Sequence, residues 1–351
     1  MLNSDKERRV MVVRFSALGD VALVIPALYD VCRSNPSTEF VMLTRPHPAE
    51  LFINPPANLK IEGVDLDQYR GLGGILRLFR EMLKKYRFTD IVDLHDVLRT
   101  RVMGFWGQLH GVRLYRFRKG RFAKKALTRQ RKKMMVALRP TYERYRDAFR
   151  RAGLEVSGSF SSIFPAGYEE PSTPVPPKKD GEFRVAIAPF SRHEGKIYPL
   201  DQMRKVVDQL AASPSTTLLI FGFGEEEERV IDSWIEGKKN IFNLASLKLG
   251  LARELELLNH CDVMVSMDSA NMHIASLVGL RTVSVWGATH PYTGFLGYGQ
   301  RQEDAVQLDM TCRPCSVFGN KPCRRGDYHC LRGIAPERII ERIKTPVRDS
   351  V

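Results

Sequence analysis

Asp20 ends the segment Arg14-Phe15-Ser16-Ala17-Leu18-Gly19-Asp20, at the carboxyl end of the first strongly apolar run of the chain, residues 10–15. A small, glycine-containing turn there lets backbone approach a ligand, and a carboxylate at its far end is a candidate general base. The competing reading is an aspartate that caps the helix to follow, with Pro26 as an early helical residue. A second polar loop, Ser191-Arg192-His193-Glu194-Gly195-Lys196, follows the apolar run 185–188, and its lysine could neutralise a diphosphate as a point charge. The bland alternative for such a loop lysine is a solvated surface cation. A third segment, Ser266-Met267-Asp268-Ser269-Ala270-Asn271-Met272-His273, has an apolar strand stopping at Met267 and a helix starting with Asp268 or Ser269 as its cap. Free N–H groups at that start form an anion site, and His273 lies one turn in, on the same side as Ser269 and Ala270. A capped helix with a core histidine is the alternative. Phe221-Gly222-Phe223-Gly224 opens like a dinucleotide loop, but the third glycine is missing and four glutamates follow, which would repel a pyrophosphate. A nicotinamide-dinucleotide site is therefore rejected; a glutamate there could instead accept hydrogen bonds from ribose hydroxyls.

These segments need elements to hold them. Apolar runs rich in β-branched residues recur at 10–15, 40–44 and 91–94, and again at 185–188, 217–221, 263–267 and 282–286. Continuous apolar strands separated by helix-length segments indicate parallel sheets covered on both faces. Residues 75–86 place Ile75, Leu76, Phe79, Met82 and Leu83 on one helical face and Arg77, Arg80, Lys84 and Lys85 on the other, which is ordinary packing against a sheet. Residues 169–181 carry four prolines with charge and no periodicity, and read as a semi-rigid linker. The expected division is a first domain over 1–168, the linker 169–181, a second domain over 182–334 and a final helix within 335–351. Two doubly wound α/β domains of this kind leave a cleft between them for a ligand.

Taken in order, the segments 14–26, 191–199, 222–226 and 268–273 resemble glycosyltransferase family 9, the ADP-heptose:lipopolysaccharide heptosyltransferases of Gram-negative bacteria. The resemblance spans roughly residues 10 to 340. It implies the GT-B fold, two Rossmann-like domains facing a central cleft, with the acceptor-binding domain over 1–168, the nucleotide-sugar-binding domain over 182–334 and the helix within 335–351 crossing back to the first domain. It also implies an inverting transfer with no cofactor required for catalysis and no catalytic metal. It implies that Asp20 is the base and that Lys196 faces the diphosphate, with Ser191 and Arg192 beside it. Glu225 or Glu226 would hold the ribose, Leu249 would pack near the adenine, and Asp268, Ser269, Ala270 and His273 would surround the sugar and phosphates. Two departures bear on the donor: Ala270 stands where many relatives have glycine, and the loop 190–195 is not threonine-rich. Within the expected acceptor domain, Ser16, Gly19, Arg99 and Arg101 are candidates for the acceptor, arginine being suited to carboxylate and phosphate alike.

The chain has 351 residues and a formal charge of +14, which favours an anionic partner. No apolar run reaches the ~18 residues a membrane span needs, and the first residues are polar with no secretory core, so a cytoplasmic location is expected. Between residues 113 and 133 there are eleven Lys or Arg and no Asp or Glu, interleaved with Tyr115, Phe117 and Phe122. Nucleic acid, a merely solvated basic face, and an anionic lipid surface or phosphorylated saccharide all fit such a run; its place in the expected acceptor domain favours the last. Together with the family resemblance, which implies ADP-heptose as donor, the expected partners are ADP-heptose, a lipid-linked anionic saccharide and the cytoplasmic face of the inner membrane, touched peripherally, and not nucleic acid. Another nucleotide-sugar donor is the rival within the class, and a non-catalytic polyanion-binding protein the rival outside it. Cys312, Cys315, Cys323 and Cys330 fall within nineteen residues; structural zinc, reduced packing thiols and redox disulfides all remain open for them.

Overall fold

A computed structural model describes residues 8–345. The chain divides into two compact units, one formed by residues 1–120 and 139–163, the other by 121–138 and 164–351. The first unit holds β1 (Arg9–Val13), β2 (Glu39–Thr44), β3 (Leu59–Gly63), β4 (Asp90–Asp93) and β5 (Arg113–Arg116). Their order is β3-β2-β1-β4-β5, and every pairing is parallel. The second unit holds β6 (Phe183–Ala188), β7 (Thr216–Ile220), β8 (Ile241–Asn243), β9 (Val263–Met267), β10 (Thr282–Trp286) and β11 (Ala305–Gln307) in the order β11-β10-β9-β6-β7-β8, again all parallel. The central strands β1, β6, β9 and β10 are buried almost end to end, as strands covered by helices on both faces must be. The expected two α/β domains with parallel sheets are present.

Each sheet reverses its winding direction once. The chain leaves β1 for β2 on one side and later returns to β1's other side as β4; likewise β6 lies between β7 and β9. The loops leaving β1 and β4 are thereby neighbours, as are those leaving β6 and β9, which is the crevice position of an open α/β sheet.

The units divide differently from the sequence expectation in three places. Residues 121–138 leave the first unit and join the second. The proline-rich stretch 169–181 is packed onto the second unit: the buried Arg184 pairs with Glu170 and Glu182 and donates to the Pro176 carbonyl. The helix Pro336–Lys344 packs within the second core through Ile339, Ile340 and Ile343, in place of the expected return to the first domain; residues 346–351 lie outside the described residues. The expected helix at 75–86 is Gly71–Tyr86, and it buries Leu78, Phe79 and Met82 rather than Leu76.

The first unit is closed by Asp30, fully buried in the helix Val24–Ser34. Its carboxylate accepts from Ser157 Oγ (2.5 Å), Gly158 N (2.6 Å) and both Ser159 N (3.0 Å) and Ser159 Oγ (3.1 Å). Burial alone would raise its pKa, but these donors hold it below the ordinary carboxylate value. The carboxylate therefore contributes stability above the ordinary value, and that contribution is lost as pH falls through the depressed one. Replacing Asp30 by Ala strands these donors and should cost about 3 kcal/mol in urea unfolding at neutral pH. A loss under ~1 kcal/mol would show that the network is not holding the 157–159 loop.

Candidate active site

In the first unit the site is built on the β1 and β4 loops. Arg14, the first residue beyond β1, is buried, and its guanidinium donates to the Leu94 carbonyl (2.6 Å) and pairs with Asp20 Oδ2 (2.6 Å). Burial works against its charge, but Tyr145, Asp20 and Asp93 outweigh that, and its pKa is raised. Asp20 is not the N-cap. It sits at the third position of the short helix Leu18–Ala22, where Oδ2 also accepts from Ala17 N (3.4 Å), so its carboxylate is half-exposed and aimed back over the turn. Asp20 therefore helps order the helix start from inside the helix, and its carboxylate remains half-exposed.

Beside it lies His95, which the sequence reading did not single out. Asp93 Oδ1 turns the β4 loop by accepting from His95 N and Asp96 N (both 2.9 Å). The imidazole then meets Phe15 N through Nδ1 and Ser16 Oγ through Nε2, each at 3.5 Å. Burial first, then Arg14 and Lys119, push its pKa down to about 3, so it is neutral at physiological pH. The signal that could have found it is the rule that flagged the other loops: polar residues at the carboxyl end of an apolar strand. Of the acceptor candidates, Ser16 and Gly19 lie on this loop pair. Arg101 is exposed and tied to Asp96 (2.7 Å), and Arg99 is half-exposed on the same helix, Leu98–Leu109.

In the second unit the β6 and β9 loops meet. Lys196 Nζ pairs with Asp268 Oδ2 at 2.9 Å, although the two are seventy-two positions apart in the chain. Asp268 is buried at the end of β9, and Lys196 ends the single turn Glu194–Lys196. Glycines make room for this turn. A Cβ on Gly195 would stand 2.8 Å from the Gly319 carbonyl, and one on Gly319, at φ +74°, would stand 2.6 Å from Lys196 Cγ. The lysine stem therefore lies against bare backbone. Ser269 is the N-cap of the helix Ala270–Leu277, its Oγ 3.3 Å from Ser266 Oγ, and Ala270 is the first helical residue. His273 is buried in that helix. Ser191 is half-exposed and Arg192 exposed on the β6 loop.

The glutamate run starts the helix Glu225–Ile235. Glu225 pairs with Arg229 (3.0 Å), and Glu227 folds back to accept from Phe223 N (2.7 Å), while Glu226 is exposed. Leu249 is half-buried just ahead of the helix Leu251–Asn259. In that helix burial pushes the Glu254 carboxyl up to about 7.

All four clustered cysteines line one cavity of about 320 Å³, together with Lys133, Arg313 and Arg325. All six cysteines are free, which removes the disulfide reading from this structure. Burial raises the Cys315 thiol and pushes Cys330 up to about 11, which keeps both protonated. Among the described residues no group of three or more His, Cys, Asp or Glu is placed to hold a metal ion. The buried Arg313 cation beside the thiols opposes a dication, and Cys315 Sγ faces the Ala288 carbonyl (3.7 Å), so the zinc expectation does not fit these residues. What the segment does is structural. Cys315 N and Ser316 N both donate to Ala288 O, Ala288 N donates to Gly195 O, and Tyr328 donates to Glu194, so the thiol-bearing loop buttresses the Lys196 turn.

The profile of glycosyltransferase family 9 (heptosyltransferase) matches residues 76–328. A lipooligosaccharide heptosyltransferase 2 of Campylobacter jejuni is 29% identical over 139 residues, covering 38% of this chain and 42% of that relative. The chain thus spans about two-fifths of the length of the first relatives it matches. The lipopolysaccharide heptosyltransferase 1 of Escherichia coli K12 is 24% identical over 325 residues, 87% of this chain and 93% of that protein. The solved structure of E. coli heptosyltransferase WaaC with ADP superposes with a TM-score of 0.62 at 19% identity, covering 95% of this chain and 97% of that one. At that identity the likeness is one of fold, the two-unit GT-B arrangement.

Glu254 supplies a test of the second unit's electrostatics. Its raised folded-state pKa means that ionisation opposes folding once pH passes the unfolded value near ~4, fully so above about 7. Glu254→Gln should therefore be more stable than the parent at pH 8, by up to about 3 kcal/mol, with the difference vanishing below about pH 4. Thermal unfolding at both pH values measures it, and equal melting points at pH 8 would refute the desolvated carboxyl.

Proposed function

The chain belongs to glycosyltransferase family 9, and on that premise we propose that it transfers a heptose, with inversion, from ADP-heptose to a lipopolysaccharide inner-core acceptor. The observation that carries the reading is the Lys196–Asp268 pair at the switch point of the second sheet, next to the N-terminal start of the helix Ala270–Leu277. One of the three ammonium donors faces Asp268, which fixes the group in place and lets the others meet diphosphate oxygens. The N–H groups after Ser269 add the positive end of a helix dipole. In this reading Glu225 or Glu226 takes the ribose, Leu249 lies by the adenine, and Ser191, Arg192, Asp268, Ala270 and His273 complete the donor site.

The chemistry at the first unit is deprotonation. As the acceptor oxygen bonds to the anomeric carbon, Asp20 takes its proton, and the bond from that carbon to the diphosphate breaks to release ADP. Developing negative charge on the leaving group is neutralised by Lys196 and the helix start. Arg14 holds the Asp20 carboxylate in place through their 2.6 Å pair. Ser16, Gly19, Arg99 and Arg101 serve the acceptor. The acceptor is lipid-linked, so the enzyme works at the cytoplasmic face of the inner membrane as a peripheral protein; among the described residues no helix is long and apolar enough to cross a membrane.

Asp20→Asn should lower transfer by about 10²-fold or more while ADP still raises the melting point. Lys196→Ala should shrink the ADP-induced shift, and EDTA should leave turnover unchanged. Undiminished transfer by Asp20→Asn removes this residue as base. A melting shift with UDP or GDP but not ADP moves the donor to another nucleotide sugar, and no shift with any of them favours a binding protein on the same fold.

A further inference from the structure

Residues 97–142 hold fourteen Lys or Arg and no Asp or Glu, and the part from 121 to 138 is the excursion that joins the second unit. Its inner side is pinned there. Leu127 is fully buried, Lys124 Nζ lies 4.0 Å from the Phe295 ring centre, and Leu138 N donates to Tyr292 O (2.9 Å). Lys133 donates to the Thr311 and Arg313 carbonyls at 3.1 and 2.8 Å. The segment is thus held in place by two of its lysines and two of its leucines.

What it turns outward is a mixture that water does not favour. Phe122 is 92% exposed, Val136 60% and Met134 59%, with Met135 beside them, and the exposed cations Lys125, Arg131 and Lys132 are interspersed. Met134 N donates to Ala126 O (3.3 Å), which brings the Met134–Val136 stretch back to the helix Arg121–Leu127 that carries Phe122. Exposed large apolar side chains on a positive surface mark an interaction site. Their chemistry selects the occupant. Cations next to insertable aromatic and thioether side chains match the headgroup and acyl boundary of an anionic bilayer, where apolar burial and charge attraction act together. A soluble polyanion would use the cations and leave Phe122 and Met134 in water.

We infer that residues 121–136 are the membrane-docking element of this protein, binding anionic phospholipid through Phe122 and the Met134–Val136 stretch with Lys125, Arg131 and Lys132 at the headgroups. The inference is independent of the transfer chemistry, because vesicle binding is read without donor or acceptor; loss of one leaves the other standing.

The test is co-sedimentation of the full chain with phosphatidylcholine vesicles and with vesicles of phosphatidylcholine and phosphatidylglycerol in equal parts. Binding is expected to the mixed vesicles, to weaken with salt, and to be absent from phosphatidylcholine alone. Phe122→Ser/Met135→Ser should reduce partitioning about tenfold, as should Arg131→Gln/Lys132→Gln, with ADP-induced melting shifts as in the parent. If a double variant fails to fold, Phe122→Ser alone, at an almost fully exposed position, carries the test with an expected severalfold loss. The inference is overturned if the parent ignores the mixed vesicles. It is overturned equally if the apolar substitutions leave binding intact while the cation substitutions abolish it, which would make the segment a site for soluble polyanions.

Discussion

Everything chemical in this chain depends on two parallel strand pairings, β1 with β4 and β6 with β9. Each joins strands that are remote in sequence, and each does so at the place where the winding of its sheet reverses. A parallel pairing puts both carboxyl ends at one edge, so the two loops leaving it cannot avoid each other. Lys196 finds Asp268 for that reason, and Arg14 finds the Leu94 carbonyl for the same one. In both units a cation and a carboxylate are paired at the crevice, and the arithmetic of burial explains why. A lone charge among these strands would be costly, whereas a pair with one side open to solvent offsets that cost and fixes the orientation of each group.

The same economy recurs deeper in the fold, where buried arginines stand in for secondary structure. Arg313 is almost fully buried and hydrogen-bonds to the carbonyls of Trp286, Gly287, Thr289 and Leu308 as well as the Gln307 side chain. A planar group with five donors satisfies several irregular backbone carbonyls at once, which no lysine could do. It gathers the end of β10, the end of β11 and the thiol-bearing loop into one support behind the Lys196 turn. Arg184 does similar work for the proline-rich stretch, through Glu170, Glu182 and the Pro176 carbonyl.

How much of this was readable beforehand follows from where the information lies. The central strands were legible because strands buried on both faces are apolar throughout, and the loops after β1, β6 and β9 were legible because polar residues interrupt those runs abruptly. The edge strands β3, β5, β8 and β11 were not. Leu59-Lys60-Ile61-Glu62-Gly63 and Arg113-Leu114-Tyr115-Arg116 mix charge with apolar residues because one side of an edge meets solvent. His95 and Gly319 escaped for a different reason. Their partners, Ser16 and Lys196, lie far away in the chain, and no local spacing encodes such a contact. The proline-rich stretch and the final helix were misplaced because composition reports stiffness and amphipathicity but not which core receives them.

The excursion of residues 121–138 also sets an order of events during synthesis. The chain passes from one unit to the other three times, and this segment leaves the ribosome long before the part that will hold it. Lys133 and the Arg313 carbonyl it grips are 180 residues apart, which at ribosomal speeds of roughly 5–20 residues per second is on the order of ten to thirty seconds. For that interval a cationic, apolar ribbon hangs from a first unit that cannot bury it. A gene split at residue 163 would make the delay permanent: the first fragment would carry the ribbon without its seat, and the second would lack the strip that covers its thiol-lined cavity.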